Sequence, residues 1–141
     1  MVERPERLSR AKMQALKKRI ERVPFIRLLG LKLFPVDGEH FEMRMKVLPK
    51  LSNYMGGVHG GAITSLIDMA VYSNILLRVP EGMTLTTTEV KVNFFRPVTK
   101  GILVAKVKII HSGKRTAVGE AEIEDKEGRL IAKGTAGHLI V

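Results

Sequence analysis

The chain has 141 residues, enough for one domain with a sizeable core and too few for two. Hydrophobic residues make up 45% and charged residues 27%, the balance of a folded globular protein rather than a disordered or fibrous one. With 24 Lys and Arg against 14 Asp and Glu the formal charge is +10, which attracts polyanions of any kind; the absence of cysteine excludes disulfides, a thiolate nucleophile and a cysteine-held metal.

No apolar run reaches the length of about 18 residues that a membrane-crossing helix needs. The opening MVERPERLSR mixes acids with bases where a secretory signal has an apolar centre. A cytoplasmic location and no membrane partner are therefore expected. His40, His59, His111 and His138 are far apart and lack the short spacing of a zinc site, so no metal is expected. Much of the positive charge lies early, where Arg4, Arg7, Arg10, Lys12, Lys17, Lys18, Arg19, Arg22, Arg27 and Lys32 outnumber Glu3, Glu6 and Glu21. This reads as a solvated helix face, with a phosphate-bearing ligand or nucleic acid as alternatives.

From Ser9 to about Arg22, Met13, Leu16 and Ile20 recur at spacings of three and four, which predicts a helix with one narrow apolar stripe, capped by Ser9 and ended by Pro24. That leaves no room for the second helix of a helix-turn-helix before Phe25. Two extended runs then flank Asp37-Gly38 and predict a hairpin, with Pro35 marking that end of its first strand as an edge or a bulge. A long helix is predicted from about His59 to Arg78, stopped before Pro80, with apolar residues on nearly every side. Four period-two segments follow, TLTTTEVKVNFF, GILVAKVKII, RTAVGEAEI and RLIAKGTAGHLIV, and predict an antiparallel meander. Lys106 and Lys108 on one strand are expected to face Glu120, Glu122 and Glu124 on the next, across the outer side. The inner side carries small residues, Ala117, Gly119 and Ala121 among them, which leave room for the long helix. The architecture implied is α+β, an antiparallel sheet wrapped around one long central helix in the order ββαββββ, after an N-terminal helical extension.

Asp68 stands out because it lies in the middle of that central helix, where burial and propensity both disfavour a carboxylate. Such a group is bonded locally, to Thr64, Ser65 or Tyr72, or is neutral, or is retained for chemistry. At the start of the same helix stand His59, Gly60 and Gly61. Free first-turn amides make such an end an oxyanion site, whereas the glycines by themselves also suit a tight entry past a packed sheet. Gly60 and Asp68 are about 12 Å apart along the axis, too far to address one carbonyl. Two helices packed antiparallel about a two-fold axis bring Gly60 of one chain beside Asp68 of its mate, so a homodimer is expected.

The run NYMGGVHGGAITSLIDMA, followed by TTTEVKVNFFRPV and SGKRTAVGEAEI, resembles the hotdog-fold acyl-CoA thioesterases of the phenylacetate-pathway type. The resemblance covers roughly residues 25–141, leaving 1–24 as a basic helical extension. It implies a hotdog fold and hydrolysis of an acyl-CoA thioester to acid and CoA, with coenzyme A as part of the substrate and no other cofactor. It also implies self-association into a homodimer and further into a homotetramer. Asp68 would be the general base that activates water or the nucleophile that attacks the thioester, and the Gly60 amide, with Gly61 beside it, would polarise the carbonyl. Asn53 would position water or thioester, and His59 would hold the loop and the sulfur end. Thr87 would assist the water, with Thr86 and Thr88 adjoining it. Arg96, Lys114 and Arg115 are candidates for the CoA phosphates, or else simply exposed turn residues. Tyr54, Met55 and Tyr72 would shape the acyl pocket together with Ile75 and Leu76. Within the fold the rival is a hydratase or dehydratase, for which neither a His-Phe-Pro motif nor an aspartate–histidine pair is evident. Outside enzymes it is a noncatalytic acyl-CoA-binding or regulatory protein. Five Phe, two Tyr and no Trp offer little for base stacking, so no nucleic-acid partner is expected.

Overall fold

The structure, a computed structural model, describes residues 10–141. The basic segment forms α1 (Arg10–Glu21), which buries Met13 and Ile20 with Leu16 packed beside them, as their spacing predicts. The expected cap Ser9, with Arg4 and Arg7, lies outside the described residues. Pro24 does more than end this helix. It is the first residue of a second, six-residue helix, α2 (Pro24–Leu29), a position where the missing N–H is not needed and φ is already set. Gly30 closes α2 at φ 70°, the left-handed region where glycine carries no steric penalty. Six residues are too few for a periodicity to announce them, which is why the sequence reading passed over α2.

The hairpin is β1 (Lys32–Val36) and β2 (His40–Lys46), turned by Asp37 and Gly38 at φ 59° and 68°, the doubly positive pair that matches strand twist. β1 is an edge strand as expected. Glu21 of α1 accepts the Leu33 N–H at 2.8 Å, covering part of that edge. Pro35 faces Phe41 across the pair. The Phe41 N–H donates to Asn74 Oδ1 and its C=O accepts from Asn74 Nδ2, both at 2.9 Å, so Phe41 satisfies its backbone from the central helix and needs nothing from the N–H that Pro35 lacks.

The central helix is α3 (Gly60–Leu76), and β3 (Leu85–Phe94), β4 (Ile102–Ser112), β5 (Thr116–Glu124) and β6 (Leu130–Ile140) follow it. The sheet order is β1-β2-β4-β5-β6-β3, antiparallel throughout. The expected four-strand meander is thus corrected to three strands, β4-β5-β6. β3 crosses to the far edge beside β6, and β4 instead pairs with the hairpin, Met43 opposite Ala105 and Met45 opposite Leu103. Alternation marks each strand and its inward face, yet it is equally consistent with either neighbour.

The sheet curls around α3, whose Leu66, Ile67, Ala70, Val71 and Ile75 are buried. A Cβ on Gly119 would stand 2.6 Å from Val71 Cγ1, and one on Gly134 would run into the Lys91 carbonyl oxygen and sit 3.2 Å from Ile67 Cδ1. Small residues on the inner face make room for the helix, as expected. On the outer face Lys106 meets Glu124 at 2.8 Å, and Lys133 of β6 adds contacts to Glu120 at 3.0 Å and Glu122 at 3.5 Å. The hydrogen bond and charge of Glu124 hold the Lys106 ammonium above its ordinary value, and those of Glu120 do the same for Lys133.

Candidate active site

α3 is not buried all round. Its Gly61 is exposed, and Thr64, Ser65, Asp68, Met69, Tyr72 and Leu76 are half-buried, one stripe at spacings of three and four left uncovered by the sheet. Asp68 lies midway along it, its side chain 21% exposed. Two of the local partners considered for it are otherwise engaged, Thr64 donating to the Gly60 carbonyl and Ser65 to that of Gly61, each at 2.8 Å, and the third, Tyr72, packs its ring edge-on against His138. Asp68 is held instead from two strands.

Thr87 Oγ1 on β3 lies 3.0 Å from Oδ1 and 3.2 Å from Oδ2. A β-bulge between Thr87 and Glu89 turns this hydroxyl toward the helix, which selects Thr87 over Thr86 and Thr88. From β6, His138 Nε2 lies 3.1 Å from Oδ1. The expectation that no aspartate–histidine pair exists is therefore corrected. His138 is 1% exposed and stands opposite both Thr87 and Ala117, with Tyr72 edge-on to its ring at 5.8 Å. The sequence did hold a signal for it, since β6 buries Gly134, Ala136, His138 and Ile140 in strict alternation, a histidine in core phase.

At the other end of α3, His59 is the N-cap and its Nδ1 accepts the Gly61 N–H at 2.9 Å. The N–H groups of Ala62 and Ile63 donate to the His59 carbonyl. Gly61 is thus occupied by the cap, and among the described residues the Gly60 N–H is the first-turn donor left for a ligand. Asn53 Oδ1 accepts from Met55 N at 2.9 Å and Gly57 N at 3.2 Å, folding the loop so that its amide nitrogen remains to donate outward. Asn53, Gly60, Phe94 and Arg96 line one cavity of about 320 Å³. Beyond it Arg96, Lys100, Lys126 and Arg129 border a second of about 560 Å³ together with Asp125 and Glu127, and Arg129 is paired to Asp125 at 2.7 Å. Tyr54 and Met55 project from the loop, 98% and 76% exposed.

The expected site is therefore in two halves within one chain. Asp68, Thr87, His138 and Tyr72 lie toward the end of the sheet where β3 begins, and the exposed turn of Lys114 and Arg115 leads into β5 at that same end. Asn53, Gly60 and Arg96 lie where β3 finishes. Acid and fixed hydrogen bonds stand in one half, with a free helix-end amide and cationic side chains in the other.

This combination of a helix wrapped by an antiparallel sheet, a held carboxylate and an open helix N-terminus has a recognised family. The profile of the thioesterase superfamily matches residues 55–132, and the chain belongs to that superfamily. It is 37% identical over 87 residues to an inferred esterase of Saccharolobus solfataricus, a match taking in 61% of each chain. It is 27% identical over 105 residues to the acyl-coenzyme A thioesterase PaaI of Escherichia coli, 74% of this chain and 73% of that one. A solved thioesterase from Haemophilus influenzae superposes with a TM-score of 0.86 at 20% identity, covering 100% of this chain and 95% of that one, which establishes the hotdog fold with its N-terminal helix. No helix among the described residues is long and apolar enough to cross a membrane.

Proposed function

We propose that the protein hydrolyses acyl-CoA thioesters at sites shared between two subunits. The observation that carries this reading is the division of the site. Asp68, with the Thr87 hydroxyl on its carboxylate, and the Gly60 N–H are complementary halves of one thioester-cleaving centre, set about 12 Å apart on a single helix. β3 is the outer edge of the sheet, and it is exposed along most of its length. Antiparallel pairing of two β3 edges about a two-fold axis removes both exposed edges. The same pairing sets the start of β3 in one chain against the end of β3 in the other. Asp68 then approaches Gly60 and Asn53 of the partner subunit, and Lys114 and Arg115 come round toward Arg96 of the partner subunit. Those cations suit the diphosphate and 3′-phosphate of CoA.

In the reaction the Gly60 N–H donates to the thioester carbonyl oxygen as negative charge builds there. Asp68 either removes a proton from water as the water oxygen bonds to the carbonyl carbon, or bonds to that carbon itself and is released by water. In both routes the C–S bond breaks and the sulfur leaves as CoA thiolate, which takes up the proton. The relative named acyl-coenzyme A thioesterase supports this substrate class. The test is CoA release from phenylacetyl-CoA and medium-chain acyl-CoA by the protein and by its Asp68→Asn and Asp68→Ala variants. Release that both variants abolish is the expected result. Full turnover by both removes the mechanism, and tight binding without release points to a noncatalytic acyl-CoA-binding protein.

A further inference from the structure

We infer that His138 is a positioning residue: a neutral imidazole whose Nε2–H fixes the Asp68 carboxylate so that Oδ2 is the oxygen that reacts. The inference rests on the reading of Asp68 as base or nucleophile and adds which oxygen acts and what holds it.

Oδ1 is within bonding distance of two groups, His138 Nε2 at 3.1 Å and Thr87 Oγ1 at 3.0 Å. Among the described residues Oδ2 has only the longer approach of the same hydroxyl, 3.2 Å. A carboxylate only accepts, so the ring nitrogen facing it carries a proton. The other nitrogen decides the charge of the ring. Nδ1 is buried and has no hydrogen-bond partner among the described residues. An N–H there would be a buried donor with nothing to receive it, whereas a bare lone pair in the same place is the milder defect. The geometry therefore selects the neutral tautomer protonated at Nε2. At 1% exposure, with Nδ1 closed off, the ring has no route for passing a proton to solvent during turnover. It is a fixed donor.

The ring is held to this task from outside the bond as well. Tyr72, one turn along α3 from Asp68, packs edge-on against it with ring planes at 68°, so the group that orients the carboxylate is itself prevented from turning. With Oδ1 saturated, the unoccupied lone pair of Oδ2 is the one that meets water or the thioester carbon. Two anchors from different strands also keep the carboxylate from rotating about its own bond, and a loss of such orientation lowers kcat more than it raises KM.

The test has two arms. Nitrogen-15 NMR of imidazole-labelled wild-type protein reads the tautomer directly and needs no activity. A protonated-type shift at Nε2 with an unprotonated-type shift at Nδ1 is expected for His138; the reverse tautomer, or two protonated nitrogens, overturns the inference. In the second arm acyl-CoA turnover is compared for His138→Phe, which keeps the ring against Tyr72 but removes the donor, and His138→Gln, whose amide nitrogen reaches a similar place. The expectation is a kcat lowered about 10- to 100-fold in His138→Phe with KM nearly unchanged, and most of it restored in His138→Gln. Unchanged kcat in His138→Phe, or His138→Gln equally impaired, overturns it by showing that only packing matters. Should His138→Phe fail to fold, His138→Gln against wild type and the NMR arm still decide. Wild-type protein that cleaves no thioester would defeat the proposed function instead, while the nitrogen shifts would continue to report on the Asp68–His138 bond.

Discussion

Replacing Gly60 by proline removes one hydrogen-bond donor and little else. Gly60 is the first residue of α3, where proline is favoured because its φ is preset and its N–H would have no helical partner. The preceding His59 sits at φ −65° and ψ 136°, an extended conformation that a following proline accepts. A Cβ at this position stands 3.3 Å from Phe94 Cζ, a contact that an alanine makes as well. The Gly60 N–H is the proposed oxyanion donor, and loss of one such donor lowers kcat about 10²- to 10³-fold, about 3–4 kcal/mol of transition-state stabilisation. Gly60→Ala adds the same Cβ but retains the N–H and serves as control, with melting temperatures of both close to wild type. In the proposed two-chain site the carboxylate is supplied by the other chain, so Gly60→Pro and Asp68→Asn should complement. Random reassortment of equal amounts makes half the dimers mixed, each with one intact site of two, so about a quarter of wild-type activity returns. CoA release is followed before and after reassortment, with mixed dimers verified by native mass spectrometry. A Gly60→Pro kcat equal to that of Gly60→Ala would refute the oxyanion role, and mixed dimers without recovered activity would refute the two-chain site.

Asn74→Ala should be among the more costly substitutions in the domain. Asn74 is 1% exposed and serves both the N–H and C=O of Phe41, itself fully buried. Leaving both groups unpaired costs about 2–5 kcal/mol, a fall of about 6–15 °C in Tm by calorimetry; a fall of under about 2 °C would mean that Phe41 finds other partners. On the acid side, partial desolvation raises the Asp125 carboxyl, but the backbone N–H, guanidinium and charge of Arg129 and the Glu127 N–H together hold it below its ordinary 3.8. A depressed folded value stabilises above the unfolded value, and that stabilisation disappears as pH falls through the folded one. Tm measured from about pH 6 to pH 2 should therefore drop less steeply for Asp125→Asn than for wild type below about pH 4, with parallel curves above it. Identical acid limbs would show that the Asp125–Arg129 turn does not couple to folding.

The amino-acid sequence by itself determined the elements and singled out the anomaly. Alternation defined β3 to β6, Asp37-Gly38 defined the hairpin turn, and the small residues Ala117, Gly119 and Ala121 foretold that α3 would lie close on the sheet. Asp68 in an apolar helix and Gly60 at its start were legible because each breaks a local rule, and local rules act over a few residues. The tertiary structure alone decided the rest. It placed β3 at the far edge beyond β6, since the alternation of a strand carries no record of its neighbour. It opened one stripe of α3 by ending the sheet there. It also brought His138 onto Asp68 from 70 residues away, a pairing fixed by the β3–β6 and β5–β6 registers and by the bulge after Thr87. A side chain's own chemistry is written at its position in the chain, whereas its partner across a fold depends on every register between them.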